Sequence, residues 1–163
     1  MTFAVGGLPS TLQAGVAAPL TGTLTNSTDV PYAGVGFGFW AQACGPAGGC
    51  LQAQDLDLEY QKGGVWTPVP LQTTAAGVVG TVGGGLAVKA NSPVSVQLRV
   101  TVAASALADG PIQLALRADG LPVPAAASPQ SVAVVPASTP SSGLRNDPSD
   151  QTPALGPRSA TPS

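Results

Sequence analysis

The chain of 163 residues carries a formal net charge of -2, has 9% charged residues and contains no histidine. Its length fits one domain of ordinary size with a short appendage. The sparse charge excludes the basic surface of a nucleic-acid-binding protein and the basic helix of a membrane-surface protein. The absence of histidine removes the commonest general base and the commonest metal ligand.

Hydrophobic segments that direct a protein into or across a membrane are not evident in the sequence. No run of about 18 apolar residues predicts a membrane-spanning helix. Residues 1–6 lack the basic start and the long apolar centre of a signal peptide. We therefore expect either a mature fragment to which Met1 was added or a protein that is not secreted by that route.

Short runs in which apolar and polar residues alternate predict β-strands, because successive side chains of a strand point to opposite faces. In chain order these runs are residues 3–12, 20–25, 33–40, 55–60, 65–69, 94–102, 112–116 and 131–135. The clearest is 94–102, where every second residue is Val or Leu. It predicts a long strand of an antiparallel sheet with one face on a core and the other toward water.

Glycine, proline and asparagine mark the connections between the predicted strands. Pro9 interrupts the first run, residues 26–29 predict a turn, and residues 62–64 predict the loop of a β-hairpin. Residues 73–85 are rich in glycine and predict a loop or a short irregular strand. Residues 103–110 predict a connection with one short helical turn. Short strands punctuated in this way indicate an all-β sandwich or barrel.

The composition changes at Pro136. From there to Ser163, proline, serine and threonine dominate, and large apolar residues are sparse. Such a segment cannot bury enough apolar surface to offset the entropy lost on ordering it. The sequence therefore predicts a β-sandwich over residues 1–135 and a disordered, low-complexity tail or linker over residues 136–163.

The two cysteines, Cys44 and Cys50, are separated by a short segment rich in glycine. Glycine allows such a loop to close, so a local disulfide is geometrically reasonable, and buried free thiols are the alternative. A disulfide would place the protein outside the cytosol, because cytosolic thiols are kept reduced. We predict the disulfide.

Three passages of the sequence share a pattern: residues 8–12 leading to 20–28, residues 58–60 with 64–69, and residues 95–100 followed by 110–114. A threonine-rich strand and an asparagine turn precede a Gly-Val-Trp hairpin, an alternating strand and a return that starts with glycine. This pattern resembles the non-catalytic immunoglobulin-like domains of bacterial surface and secreted proteins, particularly those of actinobacteria. The resemblance implies an immunoglobulin-like antiparallel β-sandwich with a spacer, adhesive or display role, and it supplies no catalytic residues.

Aromatic residues supply the candidate interaction site. Because they make up only 4% of the chain, a sandwich of this size favours a core position for Trp40, while core and exposed positions both stay open for Trp66. Tyr60 and Trp66 lie at or near a turn, where binding residues are concentrated. We select these two as candidate interaction residues, together with the cysteine loop.

Two polar motifs have simpler structural explanations. Asp55, Asp57 and Glu59 alternate along one predicted strand, and a calcium site would need further oxygen ligands from other loops. A solvated strand face, or pairing with Lys62 or Arg99, explains the three carboxylates. Residues 26–28 match the N-glycosylation pattern, and an ordinary turn explains them equally well.

The motifs of the common enzyme classes are missing. The sequence has no Gly-x-Ser-x-Gly elbow, no histidine to activate Cys44, no phosphate-binding glycine loop and no Cys/His zinc set. We therefore expect no enzyme, no catalytic residues, no cofactor and no metal.

These observations predict a non-catalytic structural or interaction module of an exported bacterial surface protein, located extracellularly or at the cell surface. Its expected partner is another protein chain or a second copy of itself, with no nucleic acid and no membrane insertion. The first alternative is a bacteriophage virion component, either a decoration or a tail-associated protein. The second is a carbohydrate-binding module, for which exposed aromatic residues such as Trp66 and Tyr60 would bind the glycan.

Overall fold

The computed structural model describes residues 1–45, 49–106, 110–123 and 125–137. Within these ranges the chain is built almost entirely of strands, with short 3-10 helical turns at Ala53–Asp55 and Ala104–Ala106. The strands are β1 Thr2–Gly6, β2 Thr11–Gln13, β3 Ala18–Asn26, β4 Tyr32–Gln42, β5 Leu56–Lys62, β6 Val65–Pro68, β7 Leu71–Thr74, β8 Gly77–Val88, β9 Ser92–Val102, β10 Ile112–Asp119, β11 Ala125–Ala126 and β12 Gln130–Val135.

The strands form two sheets, which we call the small and the large sheet. The small sheet has the order β1-β3-β9-β5-β6, and all its neighbours are antiparallel. The large sheet has the order β2-β12-β10-β4-β8-β7, with β11 beside β10. In it, β2 and β12 run parallel. The neighbours β1-β3-β9-β5 and β12-β10-β4 follow the strand orders A-B-E-D and G-F-C of an immunoglobulin-like sandwich. The predicted fold class is confirmed.

A hydrophobic core fills the space between the two sheets. Strand β9 buries Val96, Leu98, Val100 and Val102 while its polar residues face outward, as its alternation predicted. The large sheet contributes the inward residues of β4 and β10, including Phe37, Phe39, Ile112, Leu114 and Leu116. Each such side chain stabilises the fold by roughly 1.5–3 kcal/mol on burial. The two inner faces therefore hold the sandwich together and leave both outer faces available.

Two connections follow the turn chemistry predicted from the sequence. The loop between β5 and β6 consists of Gly63 and Gly64, and both have positive φ, which the tight turn of this hairpin requires. The turn after β3 is organised by Asn26, whose buried amide donates hydrogen bonds to the carbonyl oxygens of Val30 and Lys89. Because the Asn26 side chain is fully buried, the glycosylation pattern at residues 26–28 is a structural turn.

Two of the predicted elements are wrong in detail. The run at residues 3–12 is split at Gly7, which has positive φ, so that β1 joins the small sheet and β2 joins the large one. Of the two alternatives for the glycine-rich segment 73–85, the loop is wrong, and the short irregular strand is too short: most of the segment belongs to the 12-residue β8, which pairs along β4 with shifts in register. Pairing with a long central strand overrides the low strand propensity of glycine.

The predicted tail lies outside the described residues from residue 138 onward. The division into a sandwich over 1–135 and a tail over 136–163 therefore stays a prediction. The last described strand, β12, ends at Val135.

Candidate functional site

The predicted disulfide between Cys44 and Cys50 is confirmed. The two exposed cysteines also face each other in an antiparallel bridge just beyond β4. Two backbone hydrogen bonds, one on each side of this bridge, hold the ends of the loop together. The Gly45 amide donates to the Gly49 carbonyl oxygen, and the Leu51 amide donates to the Ala43 carbonyl oxygen. A disulfide of this kind is typical of an extracellular setting. In the described part of the chain, no helix is long and apolar enough to cross a membrane.

The two candidate interaction residues lie on opposite faces of the hairpin formed by β5 and β6. Tyr60 is paired with Thr67 and packs against the core, whereas Trp66 is paired with Gln61 and faces outward. Adjacent register positions point to opposite faces of a sheet. The structure therefore does not bring Tyr60 and Trp66 together into one site.

The outward face around Trp66 is occupied by an ion pair. The Arg99 guanidinium lies over the Trp66 ring, with its central carbon 4.6 Å from the ring centroid. Arg99 also donates a hydrogen bond to the Glu59 carboxylate. This hydrogen bond holds the pKa of Glu59 below its ordinary value. The interpretation that Glu59 is paired with Arg99 is confirmed.

The three carboxylates of residues 55–59 do not share one strand face. Asp55 lies in the 3-10 turn before β5, where its carboxylate accepts a hydrogen bond from the backbone amide of Gln52. Only Asp57 and Glu59 belong to the outward face of β5. Among the described residues, no group of at least three acidic, cysteine or histidine side chains is placed to hold a metal ion.

The predicted core position of Trp40 is wrong. Val35, Phe37 and Phe39 fill the inward positions of β4, so the residue that follows them points to the outer face of the large sheet. There Trp40 is half-buried, and its indole Nε1 donates a hydrogen bond of 2.7 Å to the carbonyl oxygen of Ala76. The alternation of Val35, Phe37 and Phe39 in the sequence indicates the outward orientation of Trp40, whereas the low aromatic content led to the wrong prediction.

Trp40 forms part of a groove on the outer face of the large sheet, which we call the outer groove. Its volume is about 660 Å³. In the register of the sheet, Ala115 and Val79 flank Trp40 on the neighbouring strands. Two residues further along the same strands lies a row made of Arg117, Gly38 and Thr81. The rims are formed by Pro70 and Gln72 on one side and by Ala126, Ala127 and Pro129 on the other.

The only side chains with formal charge that line the outer groove or cross its floor are Arg117 and Asp119, within the residues that the structure describes. The Nε of Arg117 lies 3.1 Å from a carboxylate oxygen of Asp119. Both side chains extend over Gly38, because a Cβ there would lie 2.8 Å from the Arg117 Nε and 2.8 Å from an Asp119 oxygen. Glycine at position 38 therefore makes room for an ion pair on the floor of the groove. Neither Arg117 nor Asp119 is among the site residues predicted from the sequence.

Comparisons with known proteins identify the fold and no family. No protein-family model matches the chain, and no curated protein matches it significantly. AvmM, which catalyses macrocyclization in alchivemycin A biosynthesis, has a similar structure with a TM-score of 0.59 at 13% identity, over 84% of this chain and 90% of that chain. A family 123 glycoside hydrolase from Clostridium perfringens matches with a TM-score of 0.47 at 11% identity, and the match covers 83% of this chain and 27% of that chain. The major pilin subunit of Bacillus cereus matches with a TM-score of 0.36 at 10% identity, and the match covers 83% of this chain and 39% of that chain.

The expectation that the chain is not an enzyme is overturned by these comparisons. It was based on missing motifs and on the absence of histidine. AvmM is a catalyst whose fold matches this chain over most of both lengths. The absence of the familiar motifs therefore does not exclude catalysis on this sandwich.

The resemblance to bacterial immunoglobulin-like surface domains holds at the level of the fold. The structure is an all-β sandwich, and no family match assigns it to a particular group of such domains. Membership of the actinobacterial group of surface domains stays a prediction.

Proposed function

We propose that the chain is a binding module of an exported protein and that it holds its ligand in the outer groove. The observation that carries this proposal is the geometry around Trp40. A hydrogen bond to Ala76 fixes the indole, and the Arg117–Asp119 ion pair lies beside it over Gly38. Binding sites are typically concave and mostly apolar, with a small number of polar groups that orient the ligand. The disulfide supports export.

The small sheet offers a poorer surface for the same purpose. Its tryptophan, Trp66, is already covered by Arg99, and the rest of its outer face consists largely of threonine, serine and glutamine side chains. A ligand that stacks on Trp66 would first have to displace the guanidinium from the ring. We therefore assign binding to the large sheet.

A fragment screen followed by two-dimensional amide NMR tests the proposal. We expect the fragments that bind to shift the indole N–H signal of Trp40 and the amide signals of Thr81 and Ala115, and to leave the indole signal of Trp66 unchanged. Thr81→Trp fills the groove and should abolish these shifts, whereas the matched variant Gln97→Trp, on the outer face of the small sheet, should retain them. Fragment shifts that survive Thr81→Trp, or that spread over both sheets, would contradict the proposal.

Catalysis in the same groove is a second candidate function. It is favoured by the match to AvmM and by the placement of the Asp119 carboxylate and the Arg117 guanidinium at the floor of the groove. The carboxylate is able to exchange a proton with a bound ligand, and the guanidinium is able to stabilise negative charge that develops on the ligand. If a bound compound is converted by the wild-type protein, Asp119→Asn should retain binding and stop the conversion, as measured by mass spectrometry. Compounds recovered unchanged from the wild type would count against this candidate.

The other predicted roles stay predictions. A protein partner or self-assembly, a place in a virion and glycan binding are not tested by the comparisons. The solution mass of the chain tests self-assembly, which a virion role also requires, and a glycan titration followed by Trp66 fluorescence tests glycan binding.

A further inference from the structure

We propose that the ligand of the outer groove is a small organic acid with a flat aromatic or conjugated body and a single carboxylate. The flat body stacks on Trp40, and the carboxylate binds the guanidinium of Arg117. This inference rests on the proposed function, because it names the ligand class for the same groove.

The environment of Trp40 favours stacking over other contacts. Its only polar atom, the indole Nε1, already donates to the Ala76 carbonyl oxygen. The ring therefore offers only apolar and π surface to a ligand. The side chains next to Trp40 in register are the small Ala115 and Val79. Flat rings bind such a surface well, because offset stacking adds to the burial of apolar area.

The floor beside Trp40 favours a flat body over a bulky one. The Arg117–Asp119 pair covers Gly38, and only the small side chains of Ala115 and Val79 flank the indole, so a flat ligand is able to lie over Trp40 with one edge toward the guanidinium. Two residues along a strand span about 7 Å, which separates the Trp40 row from the Arg117 row. When an aryl or conjugated acid binds a guanidinium through its carboxylate, its ring system lies at about this distance from the guanidinium.

The charged end of the groove favours a monoanion. An arginine side chain has five N–H donors, and the contact with Asp119 engages the Nε of Arg117. The side chain of Arg117 is 65% exposed, so its two terminal amino groups are accessible for a bidentate contact with a carboxylate. The Asp119 carboxylate repels negative charge nearby and disfavours a phosphate dianion more strongly than a carboxylate.

The test uses 2-naphthoate as the probe and 2-naphthamide as its uncharged match, titrated into the full chain by calorimetry. We expect 2-naphthoate to bind about tenfold more tightly than 2-naphthamide, because charge-assisted hydrogen bonds are roughly twice as strong as neutral ones. Arg117→Gln should remove this difference by lowering the affinity for 2-naphthoate to about that for 2-naphthamide. Arg99→Gln, which alters the equivalent arginine of the small sheet, should change neither affinity.

Trp40→Leu should lower the affinity for both 2-naphthoate and 2-naphthamide. If that variant fails to fold, the shift of the Trp40 indole signal in the wild type replaces it as the readout of stacking. Equal affinities for the two probes, or an Arg117→Gln variant that still prefers 2-naphthoate, would overturn the inference. Fragments that bind in the groove without preference for acids would overturn the ligand class and leave the proposed function intact. If no fragment binds in the outer groove, both the proposed function and the ligand class are wrong.

Discussion

The two outer faces of the sandwich carry similar groups in different arrangements. Each has an outward tryptophan and an ion pair between arginine and a carboxylate: Trp66 with Arg99 and Glu59 on the small sheet, Trp40 with Arg117 and Asp119 on the large one. On the small sheet the guanidinium lies over the indole. On the large sheet it lies over Gly38, and the indole is held by a backbone carbonyl.

The difference shows that composition alone does not make a binding surface. In the small sheet, the aromatic ring and the cation satisfy each other through a cation–π contact. In the large sheet, the register places Arg117 opposite Gly38 and Trp40 opposite Ala115, so the guanidinium lies over the glycine beside Asp119 and the indole ring is available to a third group. The same types of side chain therefore form a closed contact on one face and an open one on the other.

The largest expected effect comes from the turn that fixes Trp40. Gly77 has a φ of 120°, and a Cβ there would lie 2.5 Å from the Ala41 carbonyl oxygen and close to the indole nitrogen. Gly77→Ala should lower the free energy of unfolding by about 3 kcal/mol, since strained backbone and a backbone clash combine. Gly64→Ala, at the hairpin of the small sheet, meets no neighbouring atom and should cost about 1 kcal/mol.

Urea unfolding of the two glycine variants measures this difference. If Gly77→Ala is no less stable than Gly64→Ala, the turn at residues 74–77 does not constrain the large sheet in the way described. A soluble Gly77→Ala variant should also show increased quenching of Trp40 by acrylamide, in a Trp66→Phe background, because the indole loses its fixed acceptor.

A smaller effect is expected when the cover of Trp66 is removed. Arg99→Met should increase the quenching of Trp66 by acrylamide, measured in a Trp40→Phe background, because the guanidinium no longer lies over the ring. Arg117→Met should leave the quenching of Trp40 unchanged in a Trp66→Phe background. Equal responses of the two tryptophans would show that the two faces do not differ in the way that the contacts indicate.

The smallest effect is a pH dependence that belongs to the small sheet. The hydrogen bond from Arg99 lowers the pKa of Glu59 below its ordinary value of 4.5 in the folded chain. The unfolded chain therefore binds this proton more readily, and acid favours unfolding. The stabilising contribution is fully present above pH 4.5 and is lost as the pH falls through the folded pKa of Glu59.

Thermal unfolding between neutral and acidic pH provides the measurement. Glu59→Gln should flatten the part of the profile below pH 4.5, and Arg99→Gln should flatten it to the same extent, since either change removes the hydrogen bond. If the two variants keep the wild-type slope, the pair does not contribute to the acid sensitivity of the fold.

The fold was predictable because its main signals are local. The alternation of residues 94–102 identifies β9, and the glycine pair before Val65 identifies the hairpin between β5 and β6. The strand β8 was not predictable from its own residues, because its glycines favour a loop and only pairing with β4 makes them a strand. Its assignment depends on tertiary contacts that no short window of sequence contains.

The candidate site was only partly predictable. Alternation along β10 shows that Arg117 and Asp119 share the face opposite the buried Leu114 and Leu116. It does not show that Gly38 lies opposite Arg117, because this depends on the register between β4 and β10. The selection of Tyr60 and Trp66 from their proximity to a turn identified two residues that face opposite ways.

The parallel pairing of β2 with β12 has a mechanical consequence. These two strands are joined side by side through residues 11–13 and 133–135, near opposite ends of the sandwich in sequence. When tension is applied to the two ends of the domain, parallel strands are drawn past each other along their axes. Their hydrogen bonds then bear the load together, and do not open one after another. Tension between the two ends of the domain therefore loads the pairing of β2 with β12 in shear.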